Sequence, residues 1–229
     1  MPIRIPDHHR EAGEIMKTDP PVGLPKRLRR IGSCELYEGI EYKEFWQGKS
    51  RIKLDETERA LISNLLPIRG RCIIDIGCGY GRLADCYMDR FEQSVLVDGS
   101  LTLLKQAVET TDGKAIYVAA DSYHLPFRES TFDCALMIRV FHHLSDSRAI
   151  LLEIRRVLGE SGSLVFNYSN KRSVGQLLDW VTGKSDNNPF TLDPTGQGTF
   201  FASHHPRYIH DLITGLGYSD TRYFGPGII

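Results

Sequence analysis

The chain has 229 residues, of which 41% are hydrophobic and 25% charged, and this ordinary composition excludes wholesale disorder. Its 28 lysines and arginines nearly balance 29 aspartates and glutamates, so the net charge of −1 excludes a global field that attracts nucleic acid or acidic membranes. The sequence shows no apolar run long enough to cross a bilayer and no hydrophobic signal segment at residues 1–7, and its five cysteines form no Cys-x-x-Cys pair. We therefore expect a cytoplasmic protein without a membrane span, a disulfide framework or a zinc site.

The first residues differ from the rest in composition. Residues 1–30 hold five prolines and seven basic against four acidic residues, and they end in a basic run at 26–30. We predict that 1–32 form a flexible, basic, proline-rich arm in front of a single domain at 33–229. The arm is interpreted as a solvated leader, and an arm that contacts RNA or lipid headgroups is the alternative.

The domain begins with a helical pattern and continues with alternating strands and helices. Apolar residues at helical spacing predict a first helix over 54–66, with Asp55 as its N-cap and Pro67 after its end. Short apolar strands that alternate with amphipathic helices are typical of βαβ units in a parallel sheet covered on both faces. The strands are predicted at 72–76, 94–98, 115–119, 133–138 and 163–168, and the helices at 82–91, 100–108, 146–158, 174–181 and 206–216.

The long segment 169–205, after the fifth strand, contains one predicted helix and a polar stretch rich in glycine and proline. Connections of this length are usually binding lids or disordered. Its aromatic residues favour a lid: they are Trp180, Phe190, Phe200 and Phe201.

These elements predict an α/β fold with a Rossmann-like, doubly wound, mostly parallel sheet. Residues 218–223 could add a sixth strand, but 224–229 are too short and too rich in glycine and proline to form a clear seventh. An unprotected sheet edge invites pairing with another chain, so a homodimer is one expectation.

A glycine-rich turn follows the first predicted strand. Gly77, Gly79 and Gly81 stand at alternate positions, where the missing Cβ atoms let the backbone approach a ligand closely. Asp98 ends the second strand, where a carboxylate can accept hydrogen bonds from both hydroxyls of a ribose. A nicotinamide fingerprint, Gly-x-Gly-x-x-Gly, would need a third glycine at position 82, where the chain has Arg82.

The segment 75–81 resembles the hallmark of class I S-adenosylmethionine-dependent methyltransferases, an acidic residue followed by Gly-x-Gly-x-Gly. The resemblance covers about 65–168, including a ribose-binding strand end at 97–100 and an adenine-binding loop at 120–127. It also includes a Glu-x-x-Arg-Val-Leu segment within 153–162, whose turn departs from the family's usual proline and paired glycines. The resemblance implies S-adenosylmethionine as the cofactor. The cofactor-binding residues it implies are Asp75, Gly77, Cys78, Gly79, Gly81, Asp98, Gly99, Asp121, Ser122, Arg139 and Arg51.

Two adjacent histidines, His142 and His143, follow the fourth strand on the side that faces the cofactor in this fold. Either could deprotonate a methyl acceptor near neutral pH, and His142 is preferred on position alone. The structural alternative is that one caps the next helix and the other packs against the sheet. No third ligand stands at suitable spacing, so no metal is expected. His204 and His205 are further polar candidates.

The fourth strand end lacks the Asn/Asp-Pro-Pro-Tyr sequence that the family associates with methylation of amino groups on bases or glutamine. We therefore expect methyl transfer to an oxygen, carbon or sulfur atom of a small molecule. The branch resembled includes the ubiquinone and menaquinone biosynthesis methyltransferases. The alternatives are a non-catalytic cofactor-binding protein of the same fold and an RNA methyltransferase guided by residues 26–30.

Overall fold

The computed structural model describes residues 48–196 and 201–223, together with 29–31, 34–36, Lys43 and Trp46. Single turns of 3-10 helix lie at Ala84–Cys86 and Phe141–His143. The strands are β1 (Arg29–Ile31), β2 (Cys34–Leu36), β3 (Gly70–Ile76), β4 (Phe91–Asp98), β5 (Ile116–Ala119), β6 (Phe132–Met137) and β7 (Leu158–Phe166). The helices are α1 (Lys49–Leu65), α2 (Leu101–Thr110), α3 (Ser147–Val157), α4 (Val174–Val181) and α5 (Pro206–Gly215).

Five strands form the central sheet in the order β5-β4-β3-β6-β7, and every neighbouring pair is parallel. The chain moves from β3 outward to β4 and β5, then crosses back to β6 on the other side of β3. This reversal makes a switch point between β3 and β6, where the carboxyl ends of the strands leave a crevice for ligands. The α/β, Rossmann-like architecture expected from the sequence is confirmed.

Neighbouring residues of a strand point to opposite faces of the sheet, and each face is buried by its own cluster of apolar side chains. Ile74 belongs to a buried cluster with Ile154 of α3 and Ile209 of α5. Ile73, its neighbour in β3, belongs to a second cluster, which includes Leu104 of α2. The apolar runs of the central strands therefore hold the carboxyl end of β3 rigidly in place.

A separate two-stranded antiparallel sheet comes before the central sheet in the chain. It pairs β1 with β2, with Arg29 opposite Leu36. The remaining residues of the predicted basic arm, 1–28 and 32, lie outside the described residues, so the arm stays a prediction.

The predicted helix over 82–91 is wrong. The segment contains only the 3-10 turn at Ala84–Cys86 within a series of tight turns, and the backbone hydrogen bonds span mostly three residues. The side chains at its two ends are held by different partners, since Arg82 pairs with α1 and Tyr87 with Asp75. These anchors hold the connection in a form that a continuous helix would not fit.

Two smaller expectations are also wrong. Asp55 is not an N-cap, because α1 begins earlier, after Gly48, and the Asp55 carboxylate instead pairs with arginines. Residues 218–223 form no strand. The Tyr218 hydroxyl donates to the Leu151 carbonyl oxygen of α3 at 2.9 Å, which holds this segment on the helix layer rather than at the sheet edge.

The segment predicted as a lid, 169–205, is closed by bridges between its own two ends, and the Ala202 N–H donates to the His142 carbonyl oxygen at 2.7 Å. Bridges join Asn170 to His204 and Thr195 to Ser203. Helix α4 lies in this segment as predicted, and it has no buried residue. Within the described ranges, no helix is long and apolar enough to cross a membrane.

Candidate active site

The glycine turn after β3 has the backbone form that the sequence predicts. Gly77, Gly79 and Gly81 have φ angles of 72°, 56° and 79°, a region that side-chain-bearing residues adopt at a cost. At Gly77 a Cβ atom would lie 2.2 Å from Cγ2 of Val140, so the turn also needs the space that glycine leaves. The turn is therefore a cradle in which the backbone is open to a ligand.

Asp98 holds this turn against the end of β4. Its Oδ2 accepts a hydrogen bond from the Gly79 N–H at 2.8 Å, and its Oδ1 accepts one from the Ser100 N–H at 2.8 Å. Ser100 in turn caps α2, since its Oγ accepts from the Leu103 N–H. The Asp98 carboxylate is thus fixed beside the cleft by two backbone donors.

Asp75 lies beneath the turn and is 3% exposed. Burial raises the pKa of its carboxyl to about 7, although a hydrogen bond from the Tyr87 hydroxyl at 2.8 Å and the charge of Arg82 act in the opposite direction. A buried carboxyl that titrates near neutrality is sensitive to any charge that enters the cleft.

A buried cluster of ion pairs closes one side of the cleft. Arg82 pairs with both Asp55 and Glu58 of α1, and Nε of Arg139 donates to the Glu58 carboxylate at 3.1 Å. The ring of Trp46 packs against both guanidinium groups, at 4.0 Å from Cζ of Arg82 and 4.9 Å from Cζ of Arg139. Helix α1 is thereby fastened to the loops after β3 and β6.

The glycine turn, the two carboxyl groups and the two arginines described above meet at one cleft at the carboxyl ends of β3, β4 and β6. Nine of the predicted site residues contribute to its wall, together with Tyr80 and Arg82, which were not predicted as site residues. The nine are Asp75, Gly77, Cys78, Gly79, Asp98, Gly99, Ser122, Arg139 and His143.

Four predicted residues are not part of this wall. Gly81 packs against Ala107 of α2, where a Cβ atom would lie at 3.4 Å. Asp121 is exposed, and its Oδ1 accepts from the Tyr123 N–H at 2.9 Å, so its carboxylate orders the loop after β5. Arg51 lies in the first turn of α1. The fourth residue is His142.

The paired histidines occupy different environments. His143 lines the cleft, whereas the ring of His142 lies between that of His143, at 4.1 Å, and that of Phe201, at 4.2 Å. Burial, and then the neighbouring charges of His143 and Arg139, lower the pKa of His142 to about 3. His142 is therefore neutral throughout the physiological range.

The other two candidate histidines have structural partners. His204 is fully buried, its Nε2 lies 3.0 Å from Oγ of Ser147, and burial lowers its pKa to about 4. Nδ1 of His205 accepts from the Arg207 N–H and caps α5. Neither lines the cleft.

Sequence reasoning missed Glu58, Arg82 and Tyr87 as members of the site. Each is brought there by a contact between segments distant in sequence, such as the pairing of Arg82 with Glu58 at 2.5 Å. Arg82 directly follows the last glycine of the turn, and that position was the one local signal that could have marked it.

A parallel sheet in this order, with a glycine turn and an acidic strand end at its switch point, defines a fold of the class I methyltransferase type. Residues 74–166 match the family model described as "Methyltransferase domain". The match identifies a methyltransferase domain in this part of the chain, as the sequence-based resemblance implies.

The chain is also similar to curated proteins and to a solved structure. The chain is 36% identical over 102 residues to an uncharacterized protein of Methanocaldococcus jannaschii, a match covering 44% of this chain and 42% of that protein. It is 27% identical over 145 residues to the O-methyltransferase cnsE of Penicillium expansum, covering 57% and 51%. The crystal structure of an S-adenosylmethionine-dependent methyltransferase from Thermotoga maritima has the same fold, with a TM-score of 0.60, 20% identity and coverage of 79% and 77%. The chain spans about half the length of the curated relatives it matches.

Proposed function

We propose that this protein transfers the methyl group of S-adenosylmethionine to an oxygen, carbon or sulfur atom of a small-molecule acceptor. The observation that carries the proposal is the cleft in which the open glycine turn meets the fixed carboxylate of Asp98 and the buried carboxyl of Asp75. This donor and acceptor set fits a nucleoside that carries a positive charge. The cofactor would supply an electrophilic methyl group on a sulfonium, with a neutral thioether as the leaving group.

Each part of the cleft has a role in binding. Asp98, which the Gly79 and Ser100 N–H groups hold in place on the wall of the cleft, would accept hydrogen bonds from the ribose hydroxyls. Ser122 lies on the wall after β5, where an adenine ring would contact it. The ionised form of Asp75 stabilises a nearby cation, because a partly buried charge pair is weakly screened.

His143 is the group best placed to accept a proton from the acceptor. It lines the cleft on the 3-10 turn after β6, and a general base must reach the reacting atom before its pKa matters. His142 is a poor base at neutral pH because its pKa is about 3, so we assign it to packing beneath Phe201. The in-line transfer itself needs mainly alignment, which a rigid cleft supplies.

The small-molecule acceptor is supported by the O-methyltransferase relative and by the strand end after β6, which reads Arg139-Val140-Phe141 rather than an amino-methylating motif.

The test is transfer of label from methyl-labelled S-adenosylmethionine to a panel of phenols, enols, thiols and organic acids, with total RNA as a separate arm. We expect labelling of a small molecule and loss of at least tenfold in His143→Gln. Label only in RNA would support the RNA alternative, and no transfer by a protein that binds the cofactor would support the non-catalytic one.

A further inference from the structure

Arg139 has a strained backbone at the end of β6. Its φ angle is 62°, which costs a non-glycine residue about 1 kcal/mol or more. The Arg139 N–H donates to Oδ1 of Asn167, just after β7, at 2.7 Å, and this bond holds the strained form. The positive φ angle gives the Arg139 side chain a direction that it would not have at the end of a regular strand.

The guanidinium group of Arg139 is only partly paired. Its Nε donates to both oxygens of Glu58, at 3.1 and 3.2 Å, but Nη2 is buried and has no hydrogen-bond partner among the described residues. Glu58 is also shared with Arg82 at 2.5 Å, so it serves two cations. A buried cationic donor without an acceptor is costly, and it indicates a site that a ligand completes.

The position of Arg139 separates it from the groups proposed for the nucleoside. Asp98 ends β4 and Ser122 follows β5, on one side of β3, whereas Arg139 and His143 follow β6 on the other side. The Arg139 side chain lines the cleft and keeps 16% of its surface accessible. The acidic groups Asp75 and Asp98 line the same cleft, so an anion would have to bind on the β6 side, away from them.

We infer that Arg139 forms an anion subsite for the methyl acceptor, and that the acceptor is therefore a small organic acid. A carboxylate can accept from the two Nη atoms of a guanidinium whose Nε is already used, which is a bidentate geometry that arginine favours. The inference rests on the proposed function, because it assigns the β6 side of the cleft to the acceptor. His143 would then face the reacting atom while Arg139 fixes the acid group.

The test uses 4-fluorobenzoate and its neutral isostere 4-fluorobenzamide, titrated by fluorine NMR with and without S-adenosylhomocysteine. Arg139→Gln removes the charge, Arg139→Lys keeps the charge without the planar fork, and Arg148→Gln removes an exposed arginine of α3 as a control. We expect the benzoate to bind at least tenfold more tightly than the benzamide. This preference should be lost in Arg139→Gln, reduced in Arg139→Lys and unchanged in Arg148→Gln.

Calorimetry with S-adenosylhomocysteine and with 5′-methylthioadenosine, which lacks a carboxylate, identifies the source of the anion. If Arg139→Gln binds both nucleosides as tightly as the wild type does, the result supports the methyl acceptor as the source of the anion. A tenfold loss for S-adenosylhomocysteine alone would show that the cofactor's own carboxylate fills the site and would overturn the inference. Equal binding of benzoate by the wild type and a folded Arg139 variant would also overturn it; if Arg139→Gln does not fold, Arg139→Lys decides.

Failure of the proposed function gives a different pattern. If the cofactor assignment fails, the wild type binds neither nucleoside; if only the transfer fails, it binds them but labels no acceptor. In both cases the benzoate titration without nucleoside still reports whether Arg139 binds an anion.

Discussion

The carboxylate of Asp98 accepts a hydrogen bond from the backbone N–H of Gly79 at 2.8 Å, and this bond joins the end of β4 to the turn after β3. Asp98 is the last residue of β4 and Gly79 lies in the turn after β3, and the register of these two parallel strands places Ile76 beside Val97. One side chain therefore shapes the glycine turn and also lies on the wall of the cleft. The cofactor site is built at the contact between two strand ends.

Gly77→Ala should abolish cofactor binding and destabilise the fold. The positive φ costs about 1–2 kcal/mol, and the Cβ atom 2.2 Å from Val140 adds an overpacking cost of about 1–3 kcal/mol. The matched control is Gly113→Ala, where φ is 68° but nothing lies within 4 Å. Chemical denaturation measures both; equal destabilisation would show that Val140 does not confine the turn.

Arg82→Met should lower the free energy of unfolding by about 3–5 kcal/mol, because the buried carboxylate of Glu58 loses the ion pair that it makes with Arg82. Arg207→Met is the control, since Arg207 pairs with Asp211 and the two side chains are 72% and 60% exposed. Such surface pairs contribute about 0–1 kcal/mol. Similar losses in the two variants would contradict a buried ion-pair cluster.

The strand positions and the glycine turn could be predicted because they depend on local patterns. Apolar runs mark buried parallel strands, and Gly77, Gly79 and Gly81 mark positions that need positive φ. The connection after the turn could not be predicted in this way. Its form depends on where Arg82 and Tyr87 find partners, and those partners lie on other segments.

The two histidines show the same limit at the site. Sequence position favoured His142, but the 3-10 turn at Phe141–His143 puts His143 on the wall of the cleft. Phe201, which returns from the far end of the lid segment, covers His142. A residue 59 positions away in sequence thus decides which imidazole is available.

The half-buried His142 should make the protein sensitive to acid. Its folded pKa of about 3 lies below the usual 6.5, so the unfolded chain binds the proton more tightly and stability falls as the pH drops below 6.5. At pH 5 the loss from this group is about 2 kcal/mol. His142→Gln should lose less stability than the wild type between pH 7 and pH 5 in urea titrations. If the free energy of unfolding fell equally with pH in the two proteins, the lowered pKa of His142 would be contradicted.

Asp75 should have the opposite effect on stability. Its folded pKa of about 7 lies above the unfolded value, so its contribution is present below pH 4 and is lost as the pH rises through 7. Asp75→Asn should therefore raise the unfolding free energy of the ligand-free protein by about 2–4 kcal/mol at pH 8 and leave it almost unchanged at pH 4. A variant less stable at pH 8 than the wild type would contradict the raised pKa.

Ligand binding gives a second measure of the Asp75 charge. The cation of S-adenosylmethionine favours ionised Asp75, so its affinity should rise several-fold between pH 6 and pH 8. S-adenosylhomocysteine has a neutral sulfur and should show a smaller rise, and Asp75→Asn should flatten the difference. Identical pH dependence of the two ligands in the wild type would place the sulfur away from Asp75.

The central claim is that the cleft beside Asp98 and the glycine turn binds S-adenosylmethionine. The most direct measurement is calorimetric titration with S-adenosylmethionine, S-adenosylhomocysteine and NAD on the wild type and Asp98→Ala. We predict micromolar binding of the two sulfur nucleosides, no binding of NAD and a loss of at least tenfold in Asp98→Ala. Absence of binding by the folded wild type, or equal binding by Asp98→Ala, would contradict the account.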